Sequence, residues 1–337
     1  MTEPSSTLPT RILGKTGIAV SEVGFGAWAL GADWGTVTED DALAALRAGV
    51  DAGMNLIDTA DIYGGGRSER IIGKFLNELP DSASSGIHVI TKMGRGEGWD
   101  SSADAVARAA EGSLERLGVD SLDLVQLHCV PFEVLSEGTV FASLEQARDQ
   151  GLIRHYGVSV ETIEEALFCI RETGAASLQV IFNIFRQRVI DELLPVAAEQ
   201  GVGIVARVPL ASGVLSGKYT SGHRFTDDDH RHYNANGEIF NVGETFAGVS
   251  FDTAVNHASA IDALLANECP GATPAQKALR WILDYDAVST VIPGAKSSQQ
   301  ARDNASASRL PRISDDAHAG LADFYQREIA ATVRGVY

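Results

Sequence analysis

The chain has 337 residues, of which 45% are hydrophobic and 21% are charged, so it can form a large globular core. Its formal net charge of −18 disfavours binding to nucleic acids and to anionic membranes. Three cysteines without a CxxC spacing predict no disulfide framework, and neither a secretory signal nor a membrane-length apolar run is visible. The sequence therefore indicates a cytoplasmic protein.

Short apolar runs alternate with helical patterns along the chain. Residues 11–20 predict a small β-hairpin around their glycines. Eight strands are then expected, at 22–26, 55–59, 88–92, 122–128, 153–159, 178–183, 203–209 and 289–293. Helices are expected between and after them, at 39–53, 68–79, 102–118, 141–151, 161–174, 191–201, 273–285, 298–306 and 319–333.

This alternation predicts an α/β fold with a parallel sheet that is covered on its outside by helices. Eight strand–helix units fit a closed (β/α)8 TIM barrel, with residues 1–337 as one domain. One long irregular segment, 217–256, is rich in His, Asp, Asn and Gly. Because it follows strand seven, we expect this loop to lie over the C-terminal mouth of the barrel.

Polar side chains end three consecutive strands: Asp58, Lys92 and His128, with Tyr63 five residues after Asp58. Active sites of such barrels lie where strands end, so we expect the four to converge. Each residue taken alone also has an ordinary structural interpretation. Asp58 could cap the following loop, and Lys92 could be a solvated residue at the rim. His128 could simply be hydrogen-bonded, and Tyr63 could anchor a loop. A buried Asp58 needs a partner, and Lys92 is the natural one.

These four groups suit the delivery of a proton to a carbonyl oxygen. The pKa of a free phenol is near 10, and a nearby ammonium lowers it. We therefore expect Lys92 to lower the pKa of Tyr63, Asp58 to hold Lys92, and His128 to donate a hydrogen bond to the substrate oxygen. None of them is a strong nucleophile, so a hydride from a nicotinamide is the expected attacking species.

The chain resembles the aldo-keto reductase family over essentially its whole length. The resemblance rests on motifs in the family's order: LGKTGIAVSEVGFGAW, NLIDTADIYGGGRSE, VITKMG, DLVQLH, YGVSV, LQVIFN, PLASGVLSGKY and VIPGAKSSQQARDN. It implies NADPH-dependent reduction of an aldehyde or ketone, with Tyr63 as proton donor and Asp58, Lys92 and His128 completing the catalytic tetrad. The implied partner is a small carbonyl substrate, and the cofactor lies across the barrel mouth without a Rossmann domain.

The resemblance also assigns contacts to NADPH. Ser159 and Gln179 match the nicotinamide end, residues 209–218 the pyrophosphate loop, and Lys296 the adenosine end. The full set is Ser159, Gln179, Arg207, Pro209, Leu210, Ser212, Gly213, Leu215, Lys218, Ile292, Gly294, Lys296, Gln300 and Asn304. Lys296 and Arg302 are cations near the expected 2′-phosphate, so NADPH should be preferred over NADH.

Some positions depart from the family's pattern. Val160 stands where an asparagine often follows the serine, and Arg207 and Val208 replace the aromatic and hydroxyl residues of the common AYSPL. Arg207 has two interpretations: a salt bridge to an acid at the rim, or a guanidinium that lies flat against the nicotinamide.

Other functions remain open from the sequence. The GFGAWA at 24–29 matches a dinucleotide-binding fingerprint, although the helix signal begins only near Thr38. Asp58, Asp61 and His128 would suit a metal-dependent barrel hydrolase, although Lys92 would occupy the place of a cation. The fold also serves in non-enzymatic cofactor-sensing subunits of larger assemblies.

Three tryptophans follow the predicted strands near the mouth. Trp28 and Trp34 come after strand one, and Trp99 comes after strand three. Aromatic walls of this kind would favour an aromatic or cyclic carbonyl substrate. We therefore predict that Trp28, Trp34 and Trp99 line the substrate pocket.

Overall fold

The computed structural model describes residues 7–31, 37–96 and 98–337, and its centre is a parallel β-barrel. A hairpin of β1 (Thr10–Ile12) and β2 (Ala19–Ser21) precedes it. The barrel strands are β3 (Phe25–Gly26), β4 (Leu56–Asp58), β5 (His88–Met93), β6 (Leu122–His128), β7 (Ile153–Ser159), β8 (Ser177–Ile181), β9 (Gly203–Arg207) and β10 (Val288–Val291). These strands pair in chain order, and parallel bridges from Val23 to Val291 and from Gly26 to Gly294 link the first strand to the last. The expected (β/α)8 barrel with an N-terminal hairpin is confirmed.

Helices join the strands. They are α1 (Glu39–Asp51), α2 (Arg67–Asn77), α3 (Asp81–Ser84), α4 (Ala103–Leu117), α5 (Phe132–Glu137), α6 (Thr139–Asp149), α7 (Ile163–Glu172), α8 (Val189–Glu192), α9 (Leu194–Glu199), α10 (His230–Tyr233), α11 (Phe251–Leu264), α12 (Pro274–Leu283), α13 (Ser298–Ser306) and α14 (Asp315–Phe324). A 3-10 turn, Trp28–Gly31, follows β3, and α1 begins only after its cap Thr38. The dinucleotide-binding fingerprint at 24–29 therefore lacks the helix it requires. Within the described ranges, no helix is long and apolar enough to cross a membrane.

Two helical regions differ from the sequence prediction. Helix α11 begins at Phe251, inside the segment expected to be an irregular loop. Its buried face includes the small residues Ala254 and Ala258 instead of a stripe of large apolar side chains, so its periodicity is weak in the sequence. The helix expected at 191–201 is divided into α8 and α9, because Pro195 cannot donate a backbone hydrogen bond that would continue one helix.

The hairpin closes the amino-terminal end of the barrel. The inner core combines two of its residues with inward-facing strand residues: Leu13, Val20, Leu56, Ile90, Leu124, Val205 and Ile292. Arg11 of β1 also donates to the backbone oxygens of Leu283 and Val288, which ties the hairpin to the last strand. Among the described residues, the hairpin therefore covers the barrel interior at its amino-terminal end.

A buried carboxylate ties α2, the helix that follows Tyr63, to β5 and α4. Glu69 of α2 is fully buried and accepts from Thr91 Oγ1 and Arg116 Nε, both at 2.5 Å. Asp61 lies in the same region, and its Oδ1 is buried without a hydrogen-bond partner among the described residues. Burial, and then the charge of Glu69, raises the pKa of Asp61 to about 6.

We predict that Gly14→Ala destabilises the protein far more than Gly17→Ala. Both glycines have positive φ, at 50° and 71°, so alanine at either site costs about 1 kcal/mol in backbone strain. A Cβ at position 14 would also lie 2.1 Å from Gly203 N, whereas nothing lies within 4 Å of one at position 17. Urea denaturation should show an additional loss of about 2–3 kcal/mol for Gly14→Ala. Equal losses would mean that the hairpin does not pack tightly against the barrel.

We predict that Asp61→Asn stabilises the protein above pH 6 and not below pH 4. The folded state favours protonated Asp61, because its pKa is raised from 3.8 to about 6. The stabilisation from that proton is complete below the unfolded pKa and is lost as the pH rises through the folded pKa. Asparagine carries no charge at any pH, so it avoids this loss. Above pH 6, the free energy of unfolding of the variant should exceed that of the wild type by at most about 3 kcal/mol. Thermal denaturation at several pH values checks it, with the exposed Asp120→Asn as control. A gain independent of pH would contradict the assignment.

Candidate active site

A cavity opens at the carboxyl-terminal end of the barrel, opposite the hairpin. The last residues of β4, β6, β7 and β9 line it: Asp58, His128, Ser159 and Arg207. The register of the parallel strands places His128 beside Ser159, and Ser159 beside Gln179. Neighbouring strands thus deliver polar side chains to one layer at the mouth, as the sequence predicted for this fold.

Lys92 connects two of the predicted catalytic residues. Its Nζ donates to Asp58 Oδ1 at 2.6 Å and to Thr59 O at 2.8 Å, and it lies 3.5 Å from Tyr63 Oη. Burial raises the pKa of Asp58 and lowers the pKa of Lys92, while their direct contact favours the ionised pair. The prediction that Lys92 is the partner of Asp58 is confirmed.

Gln179 holds the other oxygen of Asp58. Its Nε2 donates to Asp58 Oδ2 at 2.7 Å and to Gln126 Oε1 at 2.9 Å. Both amide hydrogens are therefore used inside the protein, so only the amide oxygen of Gln179 is left for a ligand. Gln126 is a structural partner that the sequence analysis did not identify.

The expected effect of Lys92 on Tyr63 is wrong for this structure. Burial raises the pKa of Tyr63 well above its usual value, and the carboxylates of Asp58 and Glu244 raise it further. Lys92 cannot reverse this shift because Asp58 already compensates its charge. The Tyr63 phenol consequently keeps its proton at neutral pH.

Arg95, from the loop after β5, lies beside His128. Its Nη1 is 3.3 Å from His128 Nε2, its Nη2 donates to Glu244 Oε1 at 3.0 Å, and its guanidinium covers the ring of Phe240. Burial, together with the charges of Lys92 and Arg95, holds the pKa of His128 well below its usual value. The imidazole is therefore neutral at physiological pH.

Arg207 forms the salt bridge that one interpretation of the sequence predicted. Its Nη1 lies 3.5 Å from Glu244 Oε1, and its Nη2 donates to Val160 O at 3.2 Å. Burial opposes ionisation of Glu244, but Arg207 and Arg95 outweigh it and lower the pKa of that carboxyl. Arg207 also lines the cavity, so contact with a nicotinamide stays a prediction.

The cavity continues as a groove between two segments that follow β9 and β10. The predicted cofactor residues that line the cavity and groove are Ser159, Gln179, Arg207, Pro209, Leu210, Ser212, Gly213, Lys218, Ile292, Gly294, Lys296, Gln300 and Asn304. Leu215 is buried in the core and does not line it. Lys218, Lys296 and Arg231 give one end of the groove a positive character that suits phosphate groups.

The three tryptophans have different positions. Trp28 lines the cavity, and its ring lies 6.1 Å from the ring of Tyr63. Trp99 packs beside Gly94 and the hydrophobic core and is not among the lining residues. Trp34 lies outside the described residues. Trp28 is thus the one tryptophan of the three that the structure places at the cavity.

The geometry does not favour a metal-dependent hydrolase. Lys92 already binds Asp58, and Asp58, Asp61 and His128 do not form a ligand group. The part of the chain that the structure describes contains one group of three residues with metal-ligand spacing: Cys129, Glu161 and Glu244. The Arg207 guanidinium contacts two of these three side chains, so a cation already occupies their neighbourhood.

The sequence analysis missed four charged residues at the cavity, Arg95, Glu244, Arg231 and Asp303. Arg95 follows Lys92 by three residues, so its position just beyond a strand end was a usable signal. Glu244 and Arg231 belong to the long segment after β9, where no strand end fixes their positions in advance. Arg231 is anchored there by Asp229 and by Tyr219 Oη.

Comparisons with known proteins agree with this site. The sequence model of the Aldo/keto reductase family matches residues 22–326. The chain is 29% identical over 326 residues to the uncharacterized oxidoreductase YqkF of Bacillus subtilis (strain 168), covering 95% of this chain and 97% of that protein. It is 31% identical over 311 residues to a probable voltage-gated potassium channel subunit beta of Oryza sativa subsp. japonica, covering 87% and 88%.

A solved structure is also similar. An aldo-keto reductase from Klebsiella pneumoniae in complex with NADPH has a TM-score of 0.71 and 26% sequence identity, with 98% of this chain and 100% of that chain covered. The family match spans the whole barrel and includes every strand that contributes to the cavity. This chain therefore belongs to the aldo/keto reductase family, whose members are NAD(P)-dependent oxidoreductases.

Proposed function

We propose that this protein reduces an aldehyde or ketone to the alcohol with NADPH, and that Tyr63 donates the proton to the carbonyl oxygen. The observation that supports this proposal is the series of contacts from Asp58 through Lys92 to Tyr63 at the cavity. In this series, the phenol of Tyr63 lies next to the buried ammonium of Lys92. A protonated phenol beside an ammonium is suited to general acid catalysis.

Asp58, Lys92 and Tyr63 have distinct roles in this proposal. When bound, NADPH supplies a hydride to the carbonyl carbon. As negative charge develops on the carbonyl oxygen, Tyr63 transfers its proton to that oxygen. The resulting phenolate is stabilised by Lys92, whose Nζ lies 3.5 Å from Tyr63 Oη. Asp58 and Thr59 O fix Lys92 in place and limit the net charge left in the buried site.

The groove supports NADPH as the cofactor. Residues 209–218 and 294–304 form its two walls, and the related Klebsiella enzyme is known in complex with NADPH. Lys296 stands just before α13, where the resemblance expects the 2′-phosphate. Burial, and then the charge of Arg231, lowers the pKa of Lys296. The negative charge of a 2′-phosphate would favour the protonated ammonium of Lys296.

A non-enzymatic role is the second candidate, because the similar rice protein is named as a probable potassium channel subunit beta. One experiment separates the two candidates: NADPH absorbance is followed while the protein is supplied with a panel of aldehydes and ketones. Turnover with any of these substrates supports the reductase. Tight NADPH binding without turnover across the panel supports the sensing role.

We predict that Tyr63→Phe lowers the carbonyl reduction rate by about 10² to 10⁴, because general acid catalysis is lost. NADPH affinity should stay within a factor of about two, since the ring and its packing are kept. Steady-state kinetics and a cofactor titration measure the two effects. Tyr156→Phe is the matched control, since its hydroxyl binds Glu145, outside the cavity. A Tyr63→Phe variant with half the normal turnover would contradict the assigned role.

We predict that Lys296→Ala weakens NADPH binding more than NADH binding. A charge-assisted contact to a 2′-phosphate is worth about 2 kcal/mol, or roughly 30-fold in Kd. Arg302→Ala is the matched control, because Arg302 lies on the same segment but is exposed and does not line the groove. Fluorescence titration with both cofactors gives the ratio of affinities. A Lys296→Ala variant that loses both cofactors equally would remove this residue from the 2′-phosphate site.

A further inference from the structure

The contact between Arg95 and His128 fixes which way the imidazole is protonated. Arg95 Nη1 lies 3.3 Å from His128 Nε2. A guanidinium has hydrogen-bond donors and no acceptor, so Nε2 must accept with its lone pair. Because His128 is neutral, its one ring proton lies on Nδ1, which is buried without a hydrogen-bond partner among the described residues. Nε2 therefore has no proton to donate to a substrate.

Arg95, instead of His128, has N–H groups that can donate a hydrogen bond to a substrate. Glu244 Oε1 accepts from its Nη2 at 3.0 Å, and the ring of Phe240 lies 5.3 Å from its guanidinium carbon. Both contacts come from the segment after β9, whereas His128 comes from β6, so the guanidinium is fixed from two sides. Arg95 lines the same cavity as Tyr63 and His128. Its guanidinium has five N–H donors, more than its contacts with His128 and Glu244 use.

We propose that Arg95 donates the second hydrogen bond to the substrate's carbonyl oxygen, and that His128 is a positioning residue that accepts from Arg95. This assignment rests on the proposed reductase function and revises the role that the sequence analysis gave to His128. The hydride from the reduced nicotinamide forms the new C–H bond, and the carbonyl π electrons move to oxygen. Tyr63 protonates that oxygen, while Arg95 keeps all its protons and stabilises the developing charge.

A guanidinium in this position has a chemical advantage over an imidazole. A guanidinium carries a full positive charge at neutral pH, whereas a neutral imidazole carries none. A charge-assisted hydrogen bond is roughly twice as strong as a neutral one. Such a preorganised donor stabilises the transition state more than the neutral carbonyl, which raises kcat.

The first test compares Arg95→Met with Arg47→Met in the full chain. Methionine keeps much of the packing against Phe240 but removes every donor, so kcat should fall by about 10²-fold or more. Arg47 is the matched control: it also pairs with an acid, Glu78, and covers a phenyl ring, Phe75, but it is remote from the cavity. NADPH affinity should fall far less than kcat, and the melting temperature of Arg95→Met should fall moderately, because Glu244 loses one of its two guanidinium partners. Added guanidinium ion should restore part of the activity of Arg95→Ala.

The second test determines which ring nitrogen of His128 carries the proton. Nitrogen-15 NMR of histidine-labelled protein should show the His128 proton on Nδ1, with the signals assigned by their loss in His128→Gln. A proton on Nε2 would overturn the proposal, as would an Arg95→Met variant that keeps more than half of wild-type kcat/KM. If the wild type reduces no carbonyl compound, the proposed function fails, and the catalytic role of Arg95 fails with it. Reduction by the wild type with an unaffected Arg95→Met variant rejects Arg95 alone.

Discussion

The buried ion pair between Lys92 and Asp58 is the constraint on which the rest of the site depends. Both side chains are almost completely removed from water, which penalises each charge by several kcal/mol. The pair is tolerated because Thr59 O and Gln179 satisfy further hydrogen-bonding positions on the two groups. Loss of one partner would leave an unpaired charge inside the barrel, at a cost of about 3–5 kcal/mol. Stability and the proposed catalysis therefore constrain these two positions together.

The charges at the mouth are paired, although the whole chain is strongly acidic. The chain has a formal net charge of −18, and Arg95 and Arg207 both contact Glu244. Glu161 adds a second carboxylate, whose oxygen lies within 4.8 Å of a Glu244 oxygen. Lys92 and Asp58 form a further ion pair, so each cation on this side of the cavity has a carboxylate to balance it. The general acidity of the protein is thus no guide to the charges that line its cavity.

How much of this site the sequence could predict depends on where each residue lies. Strand ends in a barrel converge by geometry, so Asp58, Lys92 and His128 could be placed at one mouth from their positions in the chain. The partners of Glu244 could not be predicted, because a loop of this length has no fixed register with the strands. The pKa of Tyr63 was predicted in the wrong direction for a related reason. Desolvation and two nearby carboxylates decide it, and only the folded structure reveals both.

The fold was more predictable than its details. All eight barrel strands and the hairpin could be recognised, because apolar runs of strand length recur between helical patterns. The exceptions follow from local chemistry: Pro195 divides one expected helix, and alanines conceal the buried face of α11. Trp99 was expected in the pocket but packs beside Gly94. A position after a strand end brings a residue near the mouth without fixing the direction of its side chain.

The segment after β9 links the two ends of the cavity. Ser212, in the expected pyrophosphate loop, donates its hydroxyl to Glu244 O and accepts from Phe246 N, both at 3.1 Å. Glu244 in turn holds Arg95, which contacts His128. A connected set of contacts therefore runs from the Ser212 loop through Glu244 and Arg95 to His128. Any displacement of the Ser212 loop must change the support of Glu244, so the order of the phosphate end and the orientation of Arg95 are physically coupled. This coupling requires no direct contact between a cofactor and Arg95.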